Sequence, residues 1–378
     1  MTLERGASTL VTLAVLVIFG VLGGACSSAK QFLRETFTTR PTTYRATYDR
    51  IGLFHTTEAK PPQGLVLWKK KIGRRAHSEP LVDDMVVYIG SPGGSLYALH
   101  VADGRKHWTF DANCPIQSAP LANRDLVYVG CETGTLFAID SESGFEKWKF
   151  DVGAPVRPAP MLYNESLLVL AQDGTLVSLG AMYGREEWRA KLPGPLSGSA
   201  AIEGHLLYAA SKNTLFAFDL KRRVIAWRFR GNKAFSGTPA VAYERVFIGA
   251  VDGMVYSIHR ETGRQVWSFK AERAIRGTPA VFDRRVFIGC EDGHLYALNI
   301  IDGKIGWRFY VGKPIRSAPI VVSDRLYFGS ENRFFYSVGV DGKLRWKVQT
   351  GGGINGSAYF RKGRLFTVSA DGYLYAIH

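Results

Sequence analysis

A set of polar side chains recurs at intervals of 39 or 40 residues and includes three arginines. Its members are His77, Gln117, Arg157, Ser197, Ser236, Arg276, Arg316 and Asn355. A guanidinium group binds a carboxylate through two parallel hydrogen bonds, so three clustered arginines can hold a carboxylate ligand or the acidic loop of a partner. The alternative is a hydrated channel whose polar residues only satisfy one another and water. We take Arg157, Arg276, Arg316, His77, Gln117 and Asn355 as the candidate partner-binding residues.

Turn sequences supply the other groups to be considered as ligands. Asp-Gly pairs, such as Asp252-Gly253 and Asp292-Gly293, favour a structural role, because Gly supplies the positive φ of a tight turn and Asp tolerates it. Glu132, Glu291 and Glu331 also lie on turns, but nothing else in the sequence marks them as metal ligands. The sequence contains no Ser-His-Asp grouping, phosphate-binding loop or zinc-ligand spacing, so it predicts neither catalytic residues nor a metal site.

The elements that must position these residues follow from the tryptophans. All eight fall in one series with spacings of 39 or 40 residues: Trp68, Trp108, Trp148, Trp188, Trp227, Trp267, Trp307 and Trp346. Within a unit, short β-rich runs such as Arg285-Val286-Phe287-Ile288-Gly289 alternate with turn sequences such as Asp302-Gly303. Four short strands in about 40 residues, with no helical period, predict a β-propeller blade whose tryptophan docks on the neighbouring blade.

The two ends of the repeat region indicate how the ring closes. The stretch from Leu65 to Lys69 carries Trp68 and precedes the first complete unit, whereas the last unit ends at His378, one strand short. An N-terminal strand that completes the last blade leaves no open sheet edge. We therefore predict an all-β fold, an eight-bladed β-propeller of four-stranded blades over residues 64–378. The recurring polar residues then surround one mouth of its central channel.

The cysteines add one structural question. Cys131 and Cys290 occupy equivalent positions in blades on opposite sides of the ring and cannot pair with each other. Cys114 and Cys131 lie in one unit and can form a disulfide in an oxidising compartment. Burial of both as small apolar thiols is the favoured expectation.

Composition limits the classes of partner. The chain has 378 residues, 46% hydrophobic and 21% charged, with a net charge of +15, which excludes a mostly disordered protein. The positive charge favours anionic lipid, polysaccharide or an acidic protein surface. Nucleic acid is not favoured, because the basic residues are dispersed and no zinc-finger or RNA-binding aromatic motif occurs.

The N-terminus predicts an envelope protein. Arg5 precedes an apolar run over residues 10–22, too short to cross a bilayer comfortably, and Gly23-Gly24-Ala25-Cys26 follows. The small residues before Cys26 resemble the lipobox of bacterial lipoproteins, which implies acylation of that cysteine. Gly23 stands where the pattern has Leu, so secretion with cleavage near Ala25, or an uncleaved anchor, is the alternative. Ser27, with no Asp after the cysteine, resembles lipoproteins sorted to the outer membrane and implies a periplasm-facing protein. Residues 1–26 are thus assigned to a signal peptide with lipidated Cys26, and 27–63 to a flexible tether.

The repeat also carries a family resemblance. The pattern Leu-Tyr-Ala-Leu, then Asp-Gly and a basic residue, then Trp, appears from Leu96 to Trp108 and from Leu295 to Trp307. It is similar to the tryptophan-docking repeat of pyrroloquinoline quinone (PQQ) propellers, which quinoprotein dehydrogenases share with non-enzymatic lipoproteins. A lipobox, a short tether and a single propeller look most like the BamB family of outer-membrane protein assembly factors. That resemblance implies a monomeric, cofactor-free scaffold that binds the β-barrel assembly machinery.

Two other functions stay open at this point. A PQQ-binding enzyme or sensor needs the cofactor, a Ca²⁺ and a carboxylate base. The adjacent cysteine pair typical of such enzymes and a Cys-x-x-Cys-His haem site are both absent from the sequence. A polysaccharide- or surface-binding lipoprotein would instead use the charge of +15 and bind in a salt-sensitive way.

Overall fold

The computed structural model of the chain describes residues 53–54, 61–73, 78–83 and 85–378. Every regular element in these ranges is a β-strand, and no helix there is long and apolar enough to cross a membrane. The signal peptide, Cys26 and most of the expected tether lie outside the described residues, and so does His77.

The strands form eight antiparallel four-stranded blades, numbered here in chain order and written from the inner to the outer strand. Blades 1 to 4 comprise Leu81–Asp83, Val86–Gly90, Ser95–His100 and Lys106–Asp111; Leu121–Ala122, Leu126–Gly130, Thr135–Asp140 and Glu146–Asp151; Met161–Tyr163, Ser166–Leu170, Thr175–Gly180 and Glu186–Lys191; and Ala201–Glu203, Leu206–Ser211, Thr214–Asp219 and Val224–Arg230. Blades 5 to 8 comprise Phe235–Ala242, Arg245–Ala250, Met254–His259 and Gln265–Lys270; Ala280–Phe282, Arg285–Gly289, His294–Asn299 and Ile305–Tyr310; Ile320–Val322, Arg325–Gly329, Phe334–Gly339 and Leu344–Gln349; and Tyr359–Arg361, Arg364–Val368, Tyr373–Ile377 and Val66–Lys71.

Blade 8 confirms the predicted closure of the ring. Its outer strand, Val66–Lys71, pairs antiparallel with Tyr373–Ile377, so that Trp68 lies opposite Ala376. Backbone hydrogen bonds between Leu65 and His378, with N···O distances of 2.7 and 2.8 Å, extend this pairing to the chain end. A further short strand, Leu53–Phe54, adds in parallel to the inner strand of blade 7.

Each tryptophan joins its own blade to the next. A register irregularity, typical of a β-bulge, lies beside the tryptophan in all eight outer strands. Bulges redirect side chains, here toward the neighbouring blade. Seven of the eight indole Nε1 atoms donate to a backbone carbonyl in that blade, as Trp267 does to Ile300 at 2.8 Å.

The glycine of the turn after the third strand makes this contact possible. Gly303 has φ +73°, and a Cβ on it would lie 2.6 Å from the Trp267 ring. Blade 4 departs from the rule, since Arg223 takes the equivalent position with φ 59°. Its guanidinium carbon lies 5.2 Å from the Trp188 ring centroid, so a cation–π contact replaces the close approach of a glycine.

The apolar core is divided among the blade interfaces. Eight buried clusters occur within the described residues, each between two neighbouring blades. Tyr128 of blade 2 and Val169 of blade 3, for example, are both fully buried in one cluster. Because every blade is covered by apolar side chains on both faces, the blades are held in fixed positions around the channel.

The expectation of two free thiols at Cys114 and Cys131 was wrong. These residues form a disulfide, with Cα atoms 6.0 Å apart. The reason is local: the Glu132 N–H donates to the Pro115 carbonyl at 3.0 Å, which brings residues next to both cysteines together. Cys290, at the equivalent position in blade 6, is a buried free thiol whose Sγ lies 3.2 Å from the Arg273 carbonyl oxygen.

Candidate functional site

The candidate site is the channel mouth formed by the connections into the inner strands and by the turns between second and third strands. Five of the six predicted site residues line one cavity of about 310 Å³ there: Gln117, Arg157, Arg276, Arg316 and Asn355. The sixth, His77, lies outside the described residues. The clustering inferred from the repeat register is therefore present for the five described members.

Each of these three arginines already donates to a glutamate of the mouth, so a carboxylate ligand would have to share the guanidinium group with it. Arg157 Nε lies 2.8 and 3.0 Å from the two carboxylate oxygens of Glu132. Glu291 Oε1 accepts from Arg276 Nε at 2.7 Å and from Arg316 Nε at 2.6 Å. Arg316 also pairs with Glu331 through Nη1.

The three arginines that line the cavity are balanced by acids. Three guanidinium groups face three carboxylates, so the network is neutral as a whole. The arginine side chains are 37–47% exposed, whereas those of Glu132 and Glu291 are only 18% and 17% exposed. A partner that approaches the mouth therefore meets the arginines first, with acids behind them.

Electrostatics keep this network ionised. Burial of Glu291 opposes its ionisation, but hydrogen bonds from Arg276 and Arg316 outweigh burial and lower the pKa of its carboxyl group. The hydrogen bond to Glu132 raises the pKa of Arg157, and the one to Glu291 raises that of Arg316. These shifts favour the charged forms of Glu291, Arg157 and Arg316.

Sequence reasoning considered the three glutamates only as metal ligands and did not pair them with the arginines. A signal was present, since Glu132 precedes Arg157 by 25 residues and Glu291 precedes Arg316 by 25 residues. That spacing places an acid on the turn of one blade and a base on the entry to the next. Within the described residues, no group of three His, Cys, Asp or Glu side chains can hold a metal ion.

The residue that sequence reasoning missed altogether is Glu79, which lines the same cavity. The equivalent position in the other blades carries a small side chain: Ala119, Ala159, Ser199, Thr238, Thr278, Ala318 and Ser357. Burial raises the pKa of Glu79 above its ordinary value of 4.5, although hydrogen bonds with Ser357 act in the opposite direction. The buried Oδ1 of Asn355, two residues away from Ser357, has no hydrogen-bond partner among the described residues.

Hydrogen bonds between blades fix the cavity wall. Ser78 Oγ donates to the Ser118 carbonyl at 3.0 Å, in the next blade. The Thr238 N–H donates to Thr278 Oγ1 at 3.1 Å, again one blade further. A wall built from such contacts is preorganised, so the groups that line it hold their positions without a ligand.

These residues do not fit PQQ, the cofactor associated with this repeat. PQQ carries three carboxyl groups, yet the three arginines that line this cavity, Arg157, Arg276 and Arg316, are each already paired with a glutamate. Among the described residues no cysteine lines the cavity, and Glu79, the acid that lines it, has a raised pKa, unlike the carboxylates that bind Ca²⁺.

Solved structures share the fold at low sequence identity. The computationally designed Ika8 protein is 14% identical with a TM-score of 0.74, over 83% of this chain and all of its own. BamB from Moraxella catarrhalis is 16% identical with a TM-score of 0.70, over 83% of this chain and 99% of its own. The quinohemoprotein alcohol dehydrogenase ADHIIG from Pseudomonas putida HK5 is 15% identical with a TM-score of 0.68, over 84% and 76%. At this identity the likeness establishes the fold alone.

Sequence comparison is more specific than the structural likeness. No curated protein sequence matches the chain. A family model described as outer membrane protein assembly factor BamB matches it in three stretches, residues 56–162, 148–250 and 225–332. Since these stretches together run from residue 56 to residue 332, well over half of the chain, this protein belongs to the BamB family of outer membrane protein assembly factors.

Proposed function

We propose that this protein is a non-enzymatic scaffold that assists the assembly and insertion of β-barrel outer-membrane proteins as part of a Bam-type machinery. The observation that carries the proposal is the family match over residues 56–332. The chemistry of the mouth agrees with it, because the described residues there form ion pairs rather than an arrangement of nucleophile and base. A rigid ring with short turns on both faces suits binding of a folded partner.

In this proposal the channel mouth is the partner-binding face. Its arginines are 37–47% exposed, and Gln117 and Asn355 stand beside them. Because each arginine already has a carboxylate, a partner with both acidic and hydrogen-bonding groups fits the mouth better than a purely acidic loop. The acidic groups of such a partner would share the guanidinium donors with Glu132, Glu291 and Glu331, because these ion pairs leave some guanidinium N–H groups unused.

The protein is further proposed to face the periplasm from the outer membrane, held by a lipid on Cys26. The support is the sequence Gly24-Ala25-Cys26 after an apolar run and the serine that follows. Replacement of Cys26 by Ser should move the protein from the membrane fraction to the soluble periplasmic fraction. Mass spectrometry of the mature N-terminus should find an acylated cysteine in the wild type. An unmodified N-terminus, or unchanged fractionation of the variant, would refute the anchor.

Site-specific photocrosslinking in native envelopes tests the scaffold role and its face together. One crosslinking amino acid replaces Gln117 at the mouth, and a control replaces Thr262, an exposed turn residue on the opposite face. We expect position 117 to capture a component of the barrel-assembly machinery and position 262 to capture none. Capture from position 262 alone would overturn the assignment of the face. No such component from either position, or from a wild-type pull-down, would overturn the scaffold role.

A paired charge exchange then tests whether the mouth network itself recognises the partner. The double variant R157E/E132R keeps the ion pair but reverses its direction, whereas R157E alone destroys it. We expect the double variant to fold like the wild type and yet lose the crosslink at position 117. If the crosslink persists unchanged, the direction of this ion pair plays no part in binding.

A further inference from the structure

The positive charge of this protein is distributed unevenly around the ring. Residues 81–200 contain 9 Lys and Arg against 14 Asp and Glu, a net charge of −5. Residues 201–378 contain 27 Lys and Arg against 14 Asp and Glu, a net charge of +13. Because the blades follow one another in chain order, blades 1 to 3 form an acidic sector and blades 4 to 8 a basic sector.

The basic sector presents apolar side chains on the face opposite the channel mouth. That face is formed by the turns between first and second strands and between third and fourth strands, since consecutive antiparallel strands reverse direction. Tyr243, on the first turn of blade 5, is 56% exposed. Ile301, on the second such turn of blade 6, is 61% exposed.

These two exposed side chains belong to turns that are in contact. Arg245, two residues after Tyr243, donates through Nη1 to the Ile301 carbonyl at 3.2 Å and also to that of Ile300. The Ile300 N–H in turn donates to the Arg284 carbonyl at 2.9 Å. Blades 5 and 6 thus hold Tyr243, Ile301 and Arg284 in one fixed patch.

Exposed cations surround the apolar tips. Arg284 lies on the first turn of blade 6, Arg264 on the second such turn of blade 5, and Lys304 on the turn of Ile301, and all three are exposed. Within the part of the chain that the structure describes, neither Arg264 nor Arg284 pairs with a carboxylate. Lys304 lies 3.3 Å from Asp302, but its side chain is 83% exposed, so solvent screens that pair. We call Tyr243, Ile301, Arg264, Arg284 and Lys304 the basic patch.

We propose that the basic patch docks on an anionic membrane surface. Apolar tips beside lysine and arginine match the two layers of such a surface, because the tips enter the interface while the cations contact lipid phosphates. The acidic sector restricts the orientation: blades 1 to 3 are repelled, so the ring tilts with blades 5 and 6 toward the lipid. This leaves the channel mouth open on the other face, and the inference does not depend on what binds there.

The chain offers a matched control for a charge-reversal test. The test variant is R264E/R284E/K304E, and the control is R105E/R124E/R185E in the acidic sector. Arg124 lies on the turn of blade 2 that corresponds to the turn of Arg284 in blade 6, one residue earlier in the repeat register. Arg105 and Arg185 follow a turn glycine as Arg264 and Lys304 do. Both variants therefore change charge equally on equivalent turns.

Vesicle sedimentation compares the two variants in the full-length chain with Cys26→Ser, which removes any acyl group. The vesicles contain phosphatidylglycerol and phosphatidylcholine in equal parts, or phosphatidylcholine alone. We expect the test variant to bind the anionic vesicles at least about 100-fold more weakly than the control, since each basic residue at such a surface contributes about fivefold. The difference in vesicle affinity between the two variants should decrease at high salt. Equal affinities of the two variants for anionic vesicles would overturn the proposal.

A fluorescent label reports on contact directly, whatever other segments of the chain bind lipid. An environment-sensitive dye is attached at Ile301→Cys in the basic patch or at Tyr183→Cys, a 76% exposed turn residue of the acidic sector. Anionic vesicles should shift the emission of the dye at 301 to the blue and leave that at 183 unchanged. No shift at 301, or equal shifts at both positions, would refute docking through this patch. An acidic protein partner in place of lipid would give that negative result.

Discussion

Removing the Glu291 carboxylate tests whether the mouth network stabilises the propeller. Glu291 contacts two arginines at 2.6 and 2.7 Å, whereas the Glu132 carboxylate pairs with one arginine, Arg157, among the described residues. The two glutamates are almost equally exposed, 17% and 18%, which makes E132Q a matched control for E291Q. The arginines are more than a third exposed, so each screened pair contributes about 0.5–1 kcal/mol. E132Q should therefore cost about 0.5–1 kcal/mol and E291Q about 1–2 kcal/mol.

The pH dependence of the stability lost in E291Q gives a second, independent test of this prediction. The pKa of Glu291 is lowered in the folded state, so the stability that its carboxylate contributes is fully present at pH values above the ordinary pKa of 4.5. That contribution is lost as the pH falls through the folded-state pKa. Urea unfolding followed by tryptophan fluorescence, at pH 7 and in steps below 4.5, measures both effects. Equal losses in the two variants at pH 7, or a loss in E291Q that does not shrink in acid, would refute the reasoning.

Three further predictions concern the packing of the ring. In thermal melts G303A should destabilise the folded protein by about 2 kcal/mol or more, because the added Cβ would clash with the docked indole of Trp267. The control G204A, at a glycine with φ +60° and no atom within 4 Å of an added Cβ, should cost about 1 kcal/mol. Similar losses in the two variants would argue against the contact. E79Q should raise the urea midpoint of unfolding at pH 7 but not near pH 4. The reason is that the pKa of Glu79 is raised in the folded state, so its ionisation above pH 4.5 costs stability. A higher midpoint at both pH values would contradict this. C114S/C131S should lose about 3 kcal/mol, as expected for a closed loop of this length, and a reductant should lower the melting temperature of the wild type but not that of the variant.

The fold was predictable because the tryptophans report on the repeat directly. One tryptophan per unit gave the number of blades, and the last unit, which ends at His378 one strand short, gave the closure through Val66–Lys71. Both inferences use only chain order, which a propeller preserves around its ring. The equivalence of Gln117, Arg157, Arg276, Arg316 and Asn355 followed in the same way, and the structure places all five at one cavity.

Contacts between blades were harder to predict than positions within a blade. A repeat register shows which residues are equivalent, but not which residues of two neighbouring blades are in contact. The pairs Arg157–Glu132 and Arg316–Glu291 cross a blade boundary, and so they were missed. Glu79 was missed because its equivalents are small, and a register based on recurring types does not flag a single exception.

The way the tryptophans dock explains how this fold can carry different functions at low sequence identity. The indole Nε1 of Trp267 donates to a backbone carbonyl, and its ring packs on a glycine, so the contact needs no particular side chain in the neighbouring blade. Arg223 shows that even the glycine is replaceable when another side chain satisfies the ring. The turn residues on both faces therefore do not need to hold the blades together. Charge can then differ between sectors, and ion pairs can line a mouth, with little effect on closure. Structures at 14–16% identity accordingly share this fold.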